Sequence, residues 1–489
     1  LVDFQADLEA DETAAFFLEY GEGVERPAPT QPVAVTRETD MIRLDTGVLR
    51  LDLRIPPQGY TSVPAVHRAR DFLASCWIAT EEGWRDVFRG DPGPHLYLVD
   101  THGQRYDSCT AAPPPRITVE DAGPVRVSVC VKGFHASHNG TLICPFTVRI
   151  HAFSGRPYLR VFHTFVFDQN PEHLEFSEVG MCFPLDLGND LRMAFGGEEN
   201  AHWASQWRRA ELLQSSDIAY KVSRDGESYG EGKKNRGWAT LTGDHGSAFV
   251  AVRDFWQQYP KGYELTQSGM NVQLWPSSCG ESLVYHTPWR ERPVYFSGQF
   301  GEPAAQAASR DEKTVQELIE ARPTAPLNLK SFAVNSAEDV RWVEEMVDKY
   351  APDRPASHND TGTNDGTGAG KTHEIWLRFA GDAIEDEAAE ELATAVQEPV
   401  IAPADPHYMY RTAATRKVYA GPDPRFEKVD AILDGVTERV AIEPMRLARA
   451  WGFWRFGYMC CSHSASPGLA WFLHYHTDPE NGLRFTGPY

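Results

Sequence analysis

The stretch Phe146-Thr-Val-Arg-Ile-His-Ala-Phe-Ser-Gly-Arg-Pro-Tyr-Leu-Arg-Val-Phe-His-Thr-Phe-Val-Phe-Asp168 decides the fold. Phe146, Val148 and Ile150 fall on every second residue. The turn residues Ser154-Gly-Arg-Pro157 follow, and the period then resumes with Leu159, Val161, His163, Phe165 and Phe167. Apolar residues at period two, broken by a Gly/Pro turn, describe two antiparallel strands with one buried face. The same signature recurs outward in both directions. Leu49, Leu51, Leu53 and Ile55 alternate with Arg50, Asp52 and Arg54, and Val125, Val127, Val129 and Val131 alternate with Arg126, Ser128, Cys130 and Lys132. From about Val33 to Phe300 the pattern is strand after strand, which predicts a mainly β fold built as a large antiparallel β-sandwich.

The period changes beyond Gly301. Asn335 and Ser336 are N-cap candidates for a helix with Val340, Val343, Val347 and Tyr350 on one face, ended by Pro352. A polar Gly/Asn/Asp-rich loop spans 353–370, and His373 to Phe379 reads as one more strand. A second helix carries Ile384, Ala388, Leu392 and Val396. A third follows Asp423-Pro424 with Phe426, Val429 and Leu433 on one face. The expected organisation is therefore the tail of a preceding β unit and a Pro-rich linker over 1–32, a central sandwich over 33–327, and a partial helical region over 328–489.

The 489 residues, 42% hydrophobic and 11% aromatic, describe a globular protein with ample core. A formal net charge of −22 argues against nucleic acid or an anionic membrane as a partner, since both require a cationic surface. No run approaches the roughly 18 apolar residues that a membrane span needs. Eight scattered cysteines make no dense disulfide framework. Gly366-Thr-Gly-Ala-Gly-Lys-Thr372 imitates a phosphate loop, but Asp365 stands where its first Gly belongs and a strand follows where a helix must begin. Cys460, Cys461, His463, His474 and His476 match no familiar zinc spacing, and no metal set is expected. His135 and His138 read as loop residues. His163 reads as a hydrogen-bonded core histidine.

The chemistry-bearing stretch is Arg253-Asp-Phe-Trp-Gln-Gln-Tyr-Pro-Lys-Gly262, entered from the strand-like Ser247-Ala-Phe-Val-Ala-Val252. Two exposed rings, two cations and two amides at a strand end suit a carbohydrate subsite, because sugar rings stack on indole and carboxylates need cations. The plain alternative is a strand end whose Trp and Tyr cap the sandwich.

Phe162-His-Thr-Phe-Val-Phe-Asp168, Gly180-Met-Cys-Phe-Pro-Leu185, the 253–262 stretch and Lys371-Thr-His-Glu-Ile-Trp-Leu377 together resemble the exo-rhamnogalacturonan lyase/YetA-like family (polysaccharide lyase family 26). Residues 399–410 resemble the entry to the family's last domain. The resemblance covers roughly 33–456 and implies an N-terminal β-barrel, a central β-sandwich and a C-terminal α/α toroid. Tyr458 and Cys461 stand where the family pattern leads one to expect Asp and His. The implied activity is β-elimination on a rhamnogalacturonan-type acidic polysaccharide or oligosaccharide by a secreted or extracellular lyase. That reaction removes the C5 proton beside the sugar carboxylate and expels the oxygen at C4, so it needs a cation on the carboxylate and a base and acid in reach. Candidate catalytic groups are Tyr259 or His373 as base and acid, with Arg253 and Lys261 on the carboxylate. Trp256 is the stacking platform, and Gln258, Glu374 and Tyr410 are further substrate contacts. No cofactor is fixed by this reading, and Ca²⁺ is the candidate. A non-catalytic carbohydrate-binding protein and a glycoside hydrolase of the same architecture are the alternatives.

Overall fold

In the computed structural model the described residues are 4–55, 72–285, 366–437 and 451–453, less isolated positions and short gaps, with two short strands near 480. The expected helix at 340–350, the boundary at 327/328 and the cysteine-histidine cluster at 460–476 lie outside them. Among the described residues before Ala34, none is in a strand.

The mainly β expectation holds, and apart from the short pair Thr477–Asp478 and Gly482–Leu483 the described strands sort into three sheets. A five-stranded N-terminal sheet runs in sequence order through Ala34–Arg37, Met41–Asp45, Leu49–Arg54, Leu73–Thr80 and Gly83–Asp86. The largest sheet is ordered Arg116–Ala122, Arg126–Ser137, Leu142–Phe153, Tyr158–Val166, Gly370–Ala380, Gly246–Val252, Trp238–Gly243, Arg192–Gly196 and His202–Gln206. Facing it is a sheet ordered Arg105–Asp107, His95–Asp100, Phe176–Pro184, Gly269–Trp275, Lys261–Thr266, Arg209–Ser216, Ala219–Arg224 and Glu227–Gly232. Pairing of Tyr106 and Asp107 with Ser137 and Ala136 joins the two large sheets along one edge. Period-two patterning says which residues are buried but not which sheet a strand joins, so the separate N-terminal sheet was not foreseen.

The alternating residues behave as their period demands. Val127, Val129, Val131, Phe146, Val148, Ile150, Leu159, Val161, Phe165 and Phe167 are all buried. All three sheets share this core: Leu51 and Phe88, Val161 and Leu377, and Met181 and Phe183 line one apolar gap of about 10 Å³. Asp52 breaks the pattern, buried yet charged. It accepts two hydrogen bonds from Arg43, at 2.7 and 2.8 Å, and one from the Trp77 indole at 3.0 Å, which offsets the cost of desolvating a carboxylate. His135 lies in the strand Arg126–Ser137 rather than in the expected loop.

Strand Gly370–Ala380 lies in the middle of the largest sheet, between Tyr158–Val166 and Gly246–Val252. After it, helix Asp386–Gln397 packs on the outer face of that sheet. The buried stripe is Ala389, Ala393 and Val396, with Ile384 ahead of the helix. Ala388, expected on that stripe, is exposed, because a helix advances 3.6 residues per turn and the four-residue spacing drifts off the contact. The stripe meets Ala194, Trp238, Phe249 and Ala251, and burying Ile384 and Val396 contributes about 1.5–3 kcal/mol each. Glu390 accepts from the Trp238 indole at 2.6 Å and pairs with Arg236 at 3.0 Å. The third expected helix is present as Glu427–Val436, but Val429, Ile432 and Leu433 are exposed.

The corner at Gly237 holds the loop after Val252 in place. Its carbonyl accepts from the Val252 amide at 3.1 Å and from the Tyr263 hydroxyl at 2.7 Å. Its φ is +71°, and a Cβ there would strike the Phe255 side chain. Gly237→Ala should therefore cost about 2–4 kcal/mol through combined backbone strain and overpacking, read as a lower urea midpoint with an unchanged m-value.

Candidate functional site

The 253–262 stretch is the bridge between the two large sheets, since it joins the end of Gly246–Val252 to the start of Lys261–Thr266. Gln397, the last residue of the covering helix, fixes its entrance. Its amide donates to the carbonyls of Arg236 and Val252, at 3.1 and 2.9 Å, while its oxygen accepts from the Asp254 amide at 2.8 Å. Asp254 sits at φ +55°, and the Tyr259–Pro260 peptide is cis.

The structure divides the sequence-predicted residues into groups. On the outer face, the Glu374 carboxylate accepts from Arg160 at 2.9 Å, from the Trp376 indole at 2.8 Å and from Arg253 at 3.4 Å. Burial pushes this carboxyl up, but the Arg160 and Trp376 hydrogen bonds and the arginine charges outweigh it and hold the group below the usual carboxylate range. The Arg160 guanidinium lies 4.6 Å from the Phe162 ring centre and 5.4 Å from that of Trp376, and Trp376 stacks on Phe153 at 6.0 Å. The His151 ring meets Phe162 edge-on. Both guanidiniums keep about a third of their side-chain surface, at 31% for Arg160 and 32% for Arg253. Arg253 also reaches Asp254 at 3.8 Å, so two cations meet two carboxylates beside three rings, a charge-balanced cluster whose guanidiniums keep donors free for a further anion.

Tyr259, Lys261 and His373 form an interior group. The expectation of exposed groups on a strand rim fails for Tyr259, 8% exposed, and Lys261, not exposed at all, and His373 beside them is 1% exposed. Residues 451–453 lie over them. The Gly452 amide donates to the Gln257 carbonyl at 2.6 Å, the Phe453 amide donates to Tyr259 at 2.7 Å, and Trp451 packs edge-on to Trp256 at 5.2 Å. Lys261 Nζ donates to the carbonyls of Gln258, Leu274 and Pro260 at 2.8, 3.0 and 3.3 Å. Burial pulls its pKa well down, and the nearby Lys371 adds to that, but three acceptors match the three protons of an ammonium. His373 is pulled down first by burial and then by Lys261, Lys371 and His163.

His373 and Glu374 cannot serve one site, because neighbours on a strand point to opposite faces. Trp256 is half-buried on the rim, with Lys234 Nζ 4.3 Å from its ring centre. Gln258 lies in the loop with its side-chain oxygen buried and unpartnered among the described residues. Tyr410 sits on the separate helix Pro406–Arg411 and is 41% exposed. Sequence reasoning missed Arg160, Phe162, Trp376 and Lys371 as site residues. The signal was present: Arg160 and Phe162 occupy the wet phase of an alternating strand, where an aromatic calls for a reason. Among the described residues no group of three His, Cys, Asp or Glu is placed to hold a metal, and no helix is long and apolar enough to cross a membrane.

His163 is buried as expected but is not hydrogen-bonded; neither ring nitrogen has a partner among the described residues, and the same holds for His373. The two rings stack at 6.4 Å across paired strands. Burial lowers His135 to about 4, and burial with the His135 charge lowers His163 to about 3. All three histidines are therefore neutral when folded but protonate near 6.5 when unfolded. Stability should be fully present above about pH 6.5 and fall below it, by up to about 1.4 kcal/mol per pH unit for each histidine. Urea midpoints between pH 7 and 5.5 test this, and His163→Phe should flatten the slope. Glu374, with its pKa depressed, adds stability that is lost only at lower pH, as the medium falls through the carboxylate range. Glu374→Gln should remove that acid limb and leave the histidine limb unchanged.

Residues 33–204 match the family model described as PcRGLX-like protein central beta sandwich domain. The chain is similar to the uncharacterized protein YetA of Bacillus subtilis (strain 168), at 23% identity, over 53% of this chain and 35% of that protein. The match thus spans about a third of the length of that curated relative. Among solved structures, a TPR-domain containing protein from Parabacteroides distasonis ATCC 8503 superposes with TM-score 0.34 and 8% identity, covering 79% of this chain and 57% of that one. A galactose mutarotase related enzyme from Lactobacillus acidophilus does so with TM-score 0.26 and 9% identity, covering 72% and 99%. Likeness at these TM-scores carries no argument. The family model and the distant relative together support kinship with rhamnogalacturonan lyase-like proteins over the sandwich.

Proposed function

We propose that the outer face around Glu374 binds an acidic, rhamnogalacturonan-type polysaccharide and that the protein cleaves it by β-elimination. The observation that carries the reading is the pair of partly exposed guanidiniums, Arg160 and Arg253, joined through Glu374 beside Trp376, Phe162 and Phe153. A uronate carboxylate can take a bidentate guanidinium while its ring lies on an aromatic face. Similarity to the PcRGLX-like central sandwich supports the same substrate class. At this face Arg160 and Arg253 hold the carboxylate; Tyr259, His373 and Lys261 lie on the opposite side of the strand, so the C5 and O4 proton exchange assigned to them requires a uronate to reach that inner side beneath residues 451–453. Trp256, Gln258 and Tyr410 extend the contacts.

The second reading, a carbohydrate-binding sandwich without catalysis, is favoured by the burial of Tyr259, Lys261 and His373. Incubation with galacturonate-containing oligosaccharides separates the two, because elimination creates an ultraviolet-absorbing unsaturated uronate. Arg160→Ala and Arg253→Ala should each weaken binding by about 10- to 100-fold, as loss of a charge-assisted hydrogen bond predicts. Tyr259→Phe should abolish the absorbance rise with the fold intact, and full activity in that variant would remove Tyr259 from the scheme. Binding with no absorbance rise in the parent protein would establish the second reading.

A further inference from the structure

The hairpin between Arg126–Ser137 and Leu142–Phe153 turns through His138-Asn-Gly-Thr141. Asn-Gly suits such a turn because Gly accepts the left-handed backbone, and Gly140 has φ +89°. The Gly140 amide donates to the Ser137 carbonyl at 2.9 Å, and the Ser137 amide donates to the Thr141 carbonyl at 3.0 Å. Asn139 is exposed, yet its Oδ1 accepts from the Thr141 hydroxyl at 3.1 Å, from the Thr141 amide at 3.4 Å and from the Ser137 hydroxyl. A backbone amide can only donate, so the Thr141 N–H fixes which end of the side-chain amide is the oxygen. Donors gathered on one carbonyl oxygen draw charge from its carbon, as they do in an oxyanion hole. Gly140 has no side chain to obstruct that carbon, and a Cβ built there would meet nothing within 4 Å. Asn139 is also the one asparagine followed by glycine among the described residues. Asn170 precedes Pro171, which has no N–H. Asn189, Asn235 and Asn271 precede Asp190, Arg236 and Val272, whose side chains crowd the approach.

We propose that Asn139 is a site of spontaneous covalent modification, at which water replaces the side-chain amide and the hairpin tip acquires a carboxylate. The Gly140 nitrogen gives its proton to a solvent base and bonds to Asn139 Cγ. The Cγ–Nδ2 bond breaks, and Nδ2 takes a proton from water and leaves as ammonia. Water then opens the five-membered succinimide at either carbonyl, giving aspartate or isoaspartate. No oxidant, metal or second protein takes part. Because the Gly140 amide is engaged with the Ser137 carbonyl, the tip must open before attack, and the folded chain reacts more slowly than the unfolded one. The two products differ in what they do to the fold. An aspartate keeps the Ser137 and Thr141 donors and strengthens them with charge. An isoaspartate moves a methylene into the backbone and parts Ser137 from Thr141. Ser137 and Ala136 pair with Tyr106 and Asp107, so the second product loosens the seam between the two large sheets.

Peptide mass mapping of the full chain, aged at neutral and at mildly alkaline pH, provides the test. The peptide that carries His138 to Thr141 should gain one mass unit with time, faster at the higher pH, while peptides carrying Asn170, Asn235 and Asn271 stay unchanged. An isoaspartyl methyltransferase should label the same peptide. Thr141→Val, which removes one donor from Oδ1, should slow the gain by about two- to tenfold, the effect of one neutral hydrogen bond. Asn139→Gln should abolish it. Asn139→Asp, the first product made directly, should keep the parent's urea midpoint. A folded chain that stays unmodified while its urea-unfolded control converts would overturn the proposal, as would equal conversion at Asn170 or Asn271.

Discussion

The antiparallel pairing of Tyr158–Val166 with Gly370–Ala380 is the interaction on which the rest of the molecule depends. It joins segments about two hundred residues apart, setting Phe162 opposite Glu374 and His163 opposite His373. Because the pleat alternates, this one register sends Arg160, Phe162, Glu374 and Trp376 to the outer face and His163, His373 and Lys371 to the inner one. A slip of one residue would bring the arginine platform into the core and the histidines to water. The Thr164 and Thr372 hydroxyls, 2.7 Å apart, reinforce the register at one end.

The helix Asp386–Gln397 determines how much of the outer face remains open. It covers Trp238, Phe249 and Ala251, with Trp376 packed against the same cluster, while Arg160 keeps 31% of its side-chain surface. Its terminal Gln397 also reaches under the 253–262 bridge. The same short element therefore shields one half of the sheet and positions Arg253 against Glu374 in the other.

The two faces treat charge in opposite ways. Outside, Glu374 satisfies two guanidiniums that remain partly hydrated, so the carboxylate stays ionised at modest desolvation cost. Inside, lysines and histidines meet aromatic rings and backbone carbonyls. The histidines shed their protons there, and burial pulls the Lys261 amine well down while three carbonyl oxygens accept from it. A single strand thus separates a surface of paired, partly hydrated charges from an interior where burial drives amines and imidazoles toward their neutral forms.

The alternation of residues such as Leu159, Val161, Phe165 and Phe167 determined by itself that the chain is a β-sandwich, and that His163 is buried. A strand at His373 and helices after Ile384 and Asp423 were equally legible, because local periodicity encodes them. Tertiary structure alone decided that His373 and Glu374 face opposite ways from a central strand, that the five N-terminal strands form their own sheet, and that Tyr259 and Lys261 lie beneath residues 451–453. Period two specifies a buried side but names no partner strand, and exposure of the 253–262 stretch depends on a segment two hundred residues away. Pairing over such distances is set by three-dimensional packing, which no window of sequence contains.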